Sequence, residues 1–250
     1  MVKCNIDDRR LIVKVIDFIV DIATKYNPTK TNPYHGEMHS YLMVRLANWF
    51  NESYTGIETF NKLDLAMACA CHDLMHSGKP DSESDNIRNA IRAAKPFVEI
   101  ANMNGYQIDY DNVALIIAAT EYPYTHFEQL SFEQKLIRDF DLMMVNFMDS
   151  TFCYEVIGQN YNHICSSNII ANMFKGLYRE MIDSSEQIIK NKQYFDFVNK
   201  LITFQQNATF NVPYIQEVNS KYRNQSIELL KKSLIDLYTI RLIEMFQKDG

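Results

Sequence analysis

Charged side chains interrupt the first apolar stretch of the chain at short intervals. Residues Leu11 to Ile22 are mostly apolar but include Lys14, Asp17 and Asp21. A membrane span needs about 20 residues with few charges, and a signal peptide needs an unbroken apolar centre. The stretch therefore predicts an amphipathic first helix, over about residues 7 to 26, and no membrane partner.

Further helical segments follow, separated by short breaks that contain asparagine, glycine or proline. The clearest stop signal is Ser77-Gly78-Lys79-Pro80, because glycine commonly follows a helix and proline cannot continue one. The predicted helices run from Tyr34 or Gly36 past Trp49, from Leu63 to Met75, from Asn86 to Met103, from Asp111 to Glu121, from Phe127 or Ser131 to Asn146, and from Ser226 to Gln247 within a largely helical remainder, residues 150 to 248.

The composition also favours helices. Only seven glycines and six prolines occur among 250 residues, which is too few turn formers for a many-stranded β architecture. Hydrophobic residues make up 47% and charged residues 22%, as is ordinary for a globular protein with a substantial core. We expect an all-α fold, with one compact multi-helix domain over residues 1 to 250.

The charge balance limits the partners. The formal net charge is −6, and no basic run is longer than Arg9-Arg10 or Lys231-Lys232. Surfaces that bind duplex nucleic acid need clustered lysine and arginine, so such a partner is not expected. A small anionic substrate remains compatible, because a bound cation dominates the field around it.

The five cysteines are an odd number without a C-x-x-C pair. Cys69 and Cys71 lie in a strongly apolar run, where a free cysteine is typically a small buried hydrophobe. We interpret all five, Cys4, Cys69, Cys71, Cys153 and Cys165, as reduced thiols of a cytoplasmic protein.

Four of the six histidines form two H-x-x-x-H pairs, His35 with His39 and His72 with His76. Residues four apart lie on one helix face, so each pair can converge on one point. Asp73 directly follows His72 and adds an oxygen ligand. Such a set suits zinc, manganese, magnesium or iron rather than copper(I). The glutamate of the first pair lies one place too late for the H-E-x-x-H signature of zinc proteases, so another metal-dependent hydrolase is favoured.

Two further carboxylates lie in an apolar helical segment. Asp139 and Asp141 have mostly apolar neighbours, among which an unpaired charge is costly to bury. A metal ion is one suitable partner, and Arg138 is another. From the residues alone, both roles remain open for Asp141.

Four segments between residues 32 and 142 resemble motifs of the class I cyclic nucleotide phosphodiesterases, and they occur in that family's order. The family motifs are N-P-Y-H-N-x-x-H, H-D-x-x-H-P-G, A-T-D with a trailing histidine, and A-D-L. The matching segments here are Asn32-Pro-Tyr-His35 with His39, His72-Asp73-Leu-Met-His76, Thr120-Glu121 with His126, and Phe140-Asp141-Leu142. The wider superfamily of HD metal-dependent phosphohydrolases shares the H…HD…D skeleton.

The resemblance implies two divalent metal ions (zinc, manganese, magnesium or iron). The first ion would be held by two histidines and two aspartates, namely His39, His72, Asp73 and Asp141. Asp73 would bridge to the second ion, which would otherwise be ligated largely by water.

The resemblance also implies roles around the metals. His35 would be the general acid for the leaving oxygen. His76 would hydrogen-bond near the second ion, and Glu121 would stand where the family has an organising aspartate. Contacts with the substrate are implied for Tyr34, Tyr122 and Lys231.

The implied function is hydrolysis of a 3',5'-cyclic nucleotide, or a related cyclic (oligo)nucleotide messenger, by attack of a metal-bridging hydroxide. Two metal ions depress the pKa of water and clamp the phosphate. A protonated histidine at the leaving oxygen contributes about 10²- to 10⁴-fold. Two rival functions remain. One is another HD-superfamily nucleotide phosphohydrolase, such as a nucleotidase or a triphosphate or alarmone hydrolase, and the other is nucleotide binding without cleavage.

The chain departs from the family pattern at several positions. Gly36 replaces the asparagine after the first histidine, and Ser77 replaces the proline of the second motif. Met144 stands where the family's L-S-N-P segment has a base-facing asparagine. On a loose C-terminal register, Lys231 occupies the place of the purine-reading glutamine. Recognition of cAMP or cGMP through that glutamine is then absent, and the lysine could contact a further phosphate or a different base.

Overall fold

The computed structural model describes residues 18, 32–78, 85–121, 129–158, 164–165, 167–181 and 191–248. Almost all of the predicted first helix lies outside these residues, as do Cys4, Tyr122 and His126. Within them the chain forms nine α-helices, one 3₁₀ helix and no strand, so the predicted all-α class is confirmed. None of these helices has the length and apolar character needed to cross a membrane.

The helices follow one another in this order: α1 (Glu37–Ser53), α2 (Lys62–Cys71), α3 (Asn86–Met103), α4 (Tyr110–Ala118), α5 (Phe132–Leu142), the 3₁₀ helix (Met143–Met148), α6 (Ser150–Ile157), α7 (Ser167–Met181), α8 (Asn191–Asn207) and α9 (Pro213–Lys248). α3 has the predicted bounds. α9 begins well before the predicted Ser226, with proline at the first helical position, where its missing N–H costs nothing.

α2 ends earlier than the sequence predicts. It begins after Asn61, whose side chain accepts hydrogen bonds from two backbone N–H groups of the first turn. It ends at Cys71 instead of Met75, and residues 72–75 form a turn. Met75 has φ 61°, in the left-handed region that is uncommon for residues other than glycine. His72 and His76 are therefore not on a common helix face, and that premise of the sequence analysis is wrong for this pair.

The chain divides into two compact units, residues 1–141 and 142–250, and the single-domain assignment stays a prediction. In the first unit α2 is the central helix, packed against α1, α3 and α4. Every residue from Asp64 to Cys71 is buried, as expected of a helix that is apolar nearly all round. The end of α2 therefore places His72 and Asp73 directly at the edge of the core.

Asp64 connects α2 to the start of α4. It is buried, and it accepts hydrogen bonds from the Asp109 N–H at 3.0 Å and from Asn112 Nδ2 at 2.8 Å. Burial raises the pKa of Asp64, so its charge is held at a cost. We expect Asp64→Ala to lower the free energy of unfolding by about 1–3 kcal/mol, because two donors lose their buried acceptor.

Denaturant unfolding measures this loss. Asp64→Asn is the matched control, since it keeps one acceptor oxygen and removes the buried charge, and we expect it to lose less than the alanine variant. Equal losses in the two variants would show that the hydrogen bonds of Asp64 do not hold α2 to α4.

In the second unit the 3₁₀ helix packs against α6, α7 and α9. A buried amide pair joins it to α9, because Asn146 Nδ2 donates to Asn219 Oδ1 at 2.9 Å. α8 is joined to α9 by the Tyr194 hydroxyl, which donates to the Leu234 carbonyl at 3.0 Å. These bonds satisfy polar groups that would be costly to leave unpaired in the core.

One cysteine pair departs from the prediction. Cys153 and Cys165 form a disulfide with their Cα atoms 5.5 Å apart, so the reduced-thiol interpretation is wrong for them. Cys69 and Cys71 are free and buried, as expected, and burial raises the pKa of the Cys71 thiol to about 12. Disulfides persist mainly in oxidising compartments. The cytoplasmic location therefore stays a prediction and no longer has the support of five reduced thiols.

Candidate metal centre

Three side chains of the first unit, those of His72, Asp73 and Asp141, approach His39 Nε2. His39 lies near the start of α1, His72 and Asp73 follow α2, and Asp141 lies in the last turn of α5. His39 Nε2 is 3.1 Å from His72 Nε2, 3.2 Å from Asp73 Oδ2 and 3.4 Å from Asp141 Oδ1. His72 Nε2 is 3.2 Å from Asp73 Oδ2. The structure thus brings together the four residues for which the resemblance implies ligation of the first ion.

The spacing of these four atoms fits a divalent metal ion. Ligands that lie about 2.0–2.2 Å from a zinc-sized ion are about 3.0 Å apart at right angles and about 3.4 Å apart at tetrahedral angles. The measured separations run from 3.1 to 3.4 Å. Two imidazoles and two carboxylates also form a donor set that first-row divalent ions accept. The four residues could therefore hold one such ion.

A backbone contact orients the His72 ring. The Nδ1–H donates to the carbonyl of Cys69 at 2.9 Å, which leaves Nε2 to face the centre. Such a bond fixes the tautomer and the ring orientation of a metal-binding histidine. The ring is buried, with 3% of the residue exposed. α2 thus supplies the ligand and also the carbonyl that orients it.

Two polar atoms of the centre are buried without a hydrogen-bond partner among the described residues, Asp73 Oδ2 and His39 Nδ1. Buried polar atoms normally have partners, so an unsatisfied carboxylate oxygen needs an explanation. Asp73 Oδ2 is the atom that faces both Nε2 atoms. A cation at this point would satisfy it.

Burial and proximity set the charges of the metal-free centre. Burial, opposed in part by Asp73, lowers the pKa of His39 to about 3. Burial also acts to lower the pKa of His72, but the negative charge of Asp73 outweighs it and raises that pKa to about 9. For Asp73, burial is outweighed by His72 and His35, which hold the pKa well below its usual range. A protonated His72 therefore faces an ionised Asp73.

Asp141 and Asp139, which the sequence treats alike, differ in the structure. Burial raises the pKa of Asp141 to about 6, opposed by His72 and reinforced by Asp73, although 32% of its side chain is exposed. Asp139 is fully buried. Asp141 Oδ1 lies 3.4 Å from His39 Nε2, and this geometry favours the metal partner over Arg138 of the two roles left open for Asp141.

These charges predict that metal binding releases protons. Coordination needs a neutral imidazole, and His72 is protonated below pH 9 because its pKa is about 9. Between pH 6 and pH 9 we expect one proton to leave with each ion bound, and below pH 6 a second from Asp141, whose pKa is about 6. Affinity should therefore rise about tenfold per pH unit between pH 6 and pH 9 and level off above pH 9.

Titration calorimetry with Mn²⁺ in two buffers of different ionisation enthalpy counts these protons. A binding enthalpy that is independent of the buffer at neutral pH would contradict the charged His72 and Asp73 pair.

A second group of ligand-type atoms adjoins the first. Atoms of His35, Asp73 and His76 lie within 4.8 Å of one another. Both ring nitrogens of His76 already face N–H groups, because the Gly78 N–H donates to Nδ1 at 3.0 Å and Asn86 Nδ2 lies 3.0 Å from Nε2. His76 would bind a metal only by giving up one of these neighbours. The arrangement suits the implied role of His76 as a hydrogen-bonding neighbour more than that of a ligand.

Tyr34 and His35 lie on the chain segment that leads into α1. The Tyr34 ring is buried, with its centroid 4.9 Å from that of His35 and 5.0 Å from that of His39. It therefore lines the same wall as the histidines. Because α1 begins at Glu37, His35 precedes the helix. The expectation that His35 and His39 share a helix face is thus wrong, although the residues lie close together.

Three sequence-predicted residues have roles that rest on the sequence alone. Glu121 is exposed just after α4. Tyr122 lies outside the described residues, and Lys231 lies on α9 in the second unit. Their roles stay predictions.

Sequence reasoning missed two asparagines that contact His76. Asn32 Nδ2 donates to the His76 carbonyl, and Asn86 lies beside the ring. The sequence marks Asn86 only as the first residue of a helix, where asparagine is common. Its spacing from the histidine motifs gives no signal that it reaches back to His76.

No protein-family model, curated protein or solved structure matches the chain. The function proposed below therefore depends on the residues of the centre and on their geometry.

Proposed function

We propose that this protein is a metal-dependent phosphodiesterase that hydrolyses a cyclic nucleotide or a related cyclic (oligo)nucleotide messenger in the cytoplasm. The observation that supports it best is the set of separations, 3.1 to 3.4 Å, between His39 Nε2 and the ligand atoms of His72, Asp73 and Asp141. When bound, two divalent ions supply charge for the phosphate and lower the pKa of water, so that a nucleophile forms at neutral pH.

The histidines around the centre differ in exposure. His39 and His72 are 1% and 3% exposed, whereas His35 is only partly buried. His76 is also partly buried, but both of its ring nitrogens already face N–H groups. Asp73 lies beside His35 and attracts its positive charge. An accessible imidazole next to a carboxylate can take up a proton from solvent and donate it to the leaving oxygen of the substrate. We therefore assign the general acid to His35.

The substrate differs from that of a purine-reading cyclic phosphodiesterase. Met144, which stands where the family has a base-facing asparagine, is fully buried within the 3₁₀ helix of the second unit. It is not available to contact a base. The same observation favours a second candidate function, a nucleotidase or a triphosphate or alarmone hydrolase of the HD superfamily, which would use the same ligands.

A substrate panel tests the proposal. Purified protein loaded with Mn²⁺ or Mg²⁺ is expected to open at least one cyclic mono-, di- or trinucleotide to its linear monophosphate ester. Turnover confined to nucleoside monophosphates, nucleoside triphosphates or alarmones would select the second candidate. Calorimetric binding followed by recovery of intact nucleotide, with metal bound, would show a binding protein that does not cleave.

A further inference from the structure

Asn86 is a buried residue at the start of α3, and it connects that helix to the chain segment after the HD dipeptide. Its residue is 2% exposed. The side-chain oxygen accepts from the Ser77 N–H at 2.9 Å, and the side-chain nitrogen lies 3.0 Å from His76 Nε2. Asn86 therefore contacts the ring of His76 and the backbone of the next residue, Ser77.

His76 is held from three further directions. The Gly78 N–H donates to Nδ1 at 3.0 Å, and Asn32 Nδ2 donates to the main-chain carbonyl. The His35 ring covers one ring face. A neutral imidazole accepts at one nitrogen only, so Gly78 and Asn86 cannot both make full hydrogen bonds to it. Together these contacts leave the ring little freedom to rotate.

The orientation of His76 determines where His35 can lie. The two rings are stacked, with centroids 3.7 Å apart and planes at 20°. His35 precedes α1, so no helical backbone fixes it. On the segment before α1, the Tyr34 ring also contacts His35, edge to face, with the ring centroids 4.9 Å apart. The face of His76 is thus the flat support on which the His35 ring rests.

We propose that Asn86 is a positioning residue for His35. By fixing the His76 ring it holds the stacked imidazole in place for proton donation to the leaving oxygen. The inference rests on the proposed function, because it takes His35 as the general acid. Asn86 itself is not expected to touch substrate or metal, so its loss should impair only the step that depends on the acid.

The kinetic test compares two substrates. Misplacement of a catalytic group by about 1 Å can cost about 100-fold in rate. We expect Asn86→Ala to lower kcat/KM about 10- to 100-fold for a phosphodiester with an alkoxide leaving group, on this scale. For bis(4-nitrophenyl) phosphate, whose leaving group needs no proton, we expect less than about a twofold change, since general-acid assistance is then dispensable. Metal content should be unchanged.

Asn89→Ala is the matched control, since it removes the same side chain one turn further along α3. Asn86→Asp is the second variant, for use if Asn86→Ala does not fold. It keeps the acceptor for Ser77 and offers His76 Nε2–H an acceptor, so it should keep most of the activity. Equal loss on both substrates by Asn86→Ala, or no loss on either, would overturn the proposal, and so would a lowered metal content.

A structural readout separates this inference from the proposed function. Ring stacking shifts the Cε1–H resonance of His35 upfield, and we expect Asn86→Ala to remove that shift while Asn89→Ala keeps it. If the wild-type protein cleaves no phosphodiester, the proposed function fails, and the resonance still decides whether Asn86 orders the two rings. An unchanged His35 resonance in Asn86→Ala would overturn the inference even in an active enzyme.

Discussion

Asp73→Asn is expected to abolish both metal binding and activity. Asp73 Oδ2 faces His39 and His72 at 3.2 Å, and Asp73 also belongs to the group with His35 and His76. Removing its charge would weaken the hold of the centre on the proposed divalent ions. We expect the metal content to fall below one ion per chain, and kcat/KM to fall at least about 10³-fold, the scale seen when a member of a catalytic unit is removed.

The same substitution should weaken the metal-free fold. Burial acts to lower the pKa of His72, and Asp73 is the main group that raises it to about 9. Without the charge of Asp73 the buried His72 ring should become neutral at neutral pH, and the ion pair is lost. An uncompensated buried charge costs about 3–5 kcal/mol, and because His72 can lose its proton we expect a smaller loss than this in the free energy of unfolding. Denaturant unfolding of the metal-free variant measures this cost, and elemental analysis measures the metal content. Glu37→Gln, which removes an exposed carboxylate from α1, is the control. A variant Asp73→Asn that retains full metal content and activity would contradict the centre as described.

His35→Ala is expected to reduce the hydrolysis of natural phosphodiesters by about 10²- to 10⁴-fold, the usual contribution of a general acid. The metal content should not change, because His35 is not among the four residues whose ligand atoms lie 3.1 to 3.4 Å apart. The loss should shrink as the leaving group becomes more acidic, since a good leaving group departs without a proton.

A series of substrates with leaving groups of graded pKa measures this dependence. Added imidazole should restore part of the activity of His35→Ala towards the poorest leaving group. A uniform loss over the whole series would argue that His35 positions the substrate or binds the second ion, and would remove the acid role.

Local patterns in the sequence account for much of the fold. Segment Asn86–Met103 is bounded by polar residues on one side and Asn104-Gly105 on the other, and α3 has those bounds. Such signals act over a few residues, so the ends of this helix can be predicted without knowledge of tertiary contacts. The end of α2 is different. Its apolar residues run on through Leu74, and the turn at residues 72–75 depends on contacts with residues distant in sequence, such as Asn32.

The candidate site can be predicted from the sequence for a different reason. Imidazoles and carboxylates are costly to gather in a core without a partner, so their clustering in motifs already indicates chemistry. His39, His72 and Asp73 can be named in this way, whereas Asp141 is implied by the family resemblance. The structure places the other three residues near His39. Asn86 cannot be named as a site residue from the sequence, because an asparagine at a helix start is explained equally well by capping.

The Cys153 and Cys165 disulfide shows the same limit. Whether two thiols can pair depends on the distance between their Cα atoms, 5.5 Å here, and on the direction of their side chains. Neither follows from a spacing of 12 residues or from an odd cysteine count. Whether the two thiols can pair is determined by the packing of α6 and of the segment around residue 165.

The most direct measurement is anomalous X-ray diffraction from crystals soaked with Mn²⁺ or Zn²⁺. The account predicts an anomalous peak within coordinating distance, about 2.0–2.2 Å, of His39 Nε2, His72 Nε2, Asp73 Oδ2 and Asp141 Oδ1. A centre without a peak in a crystal that binds the ion elsewhere, or a peak that leaves out His39 or Asp141, would contradict it.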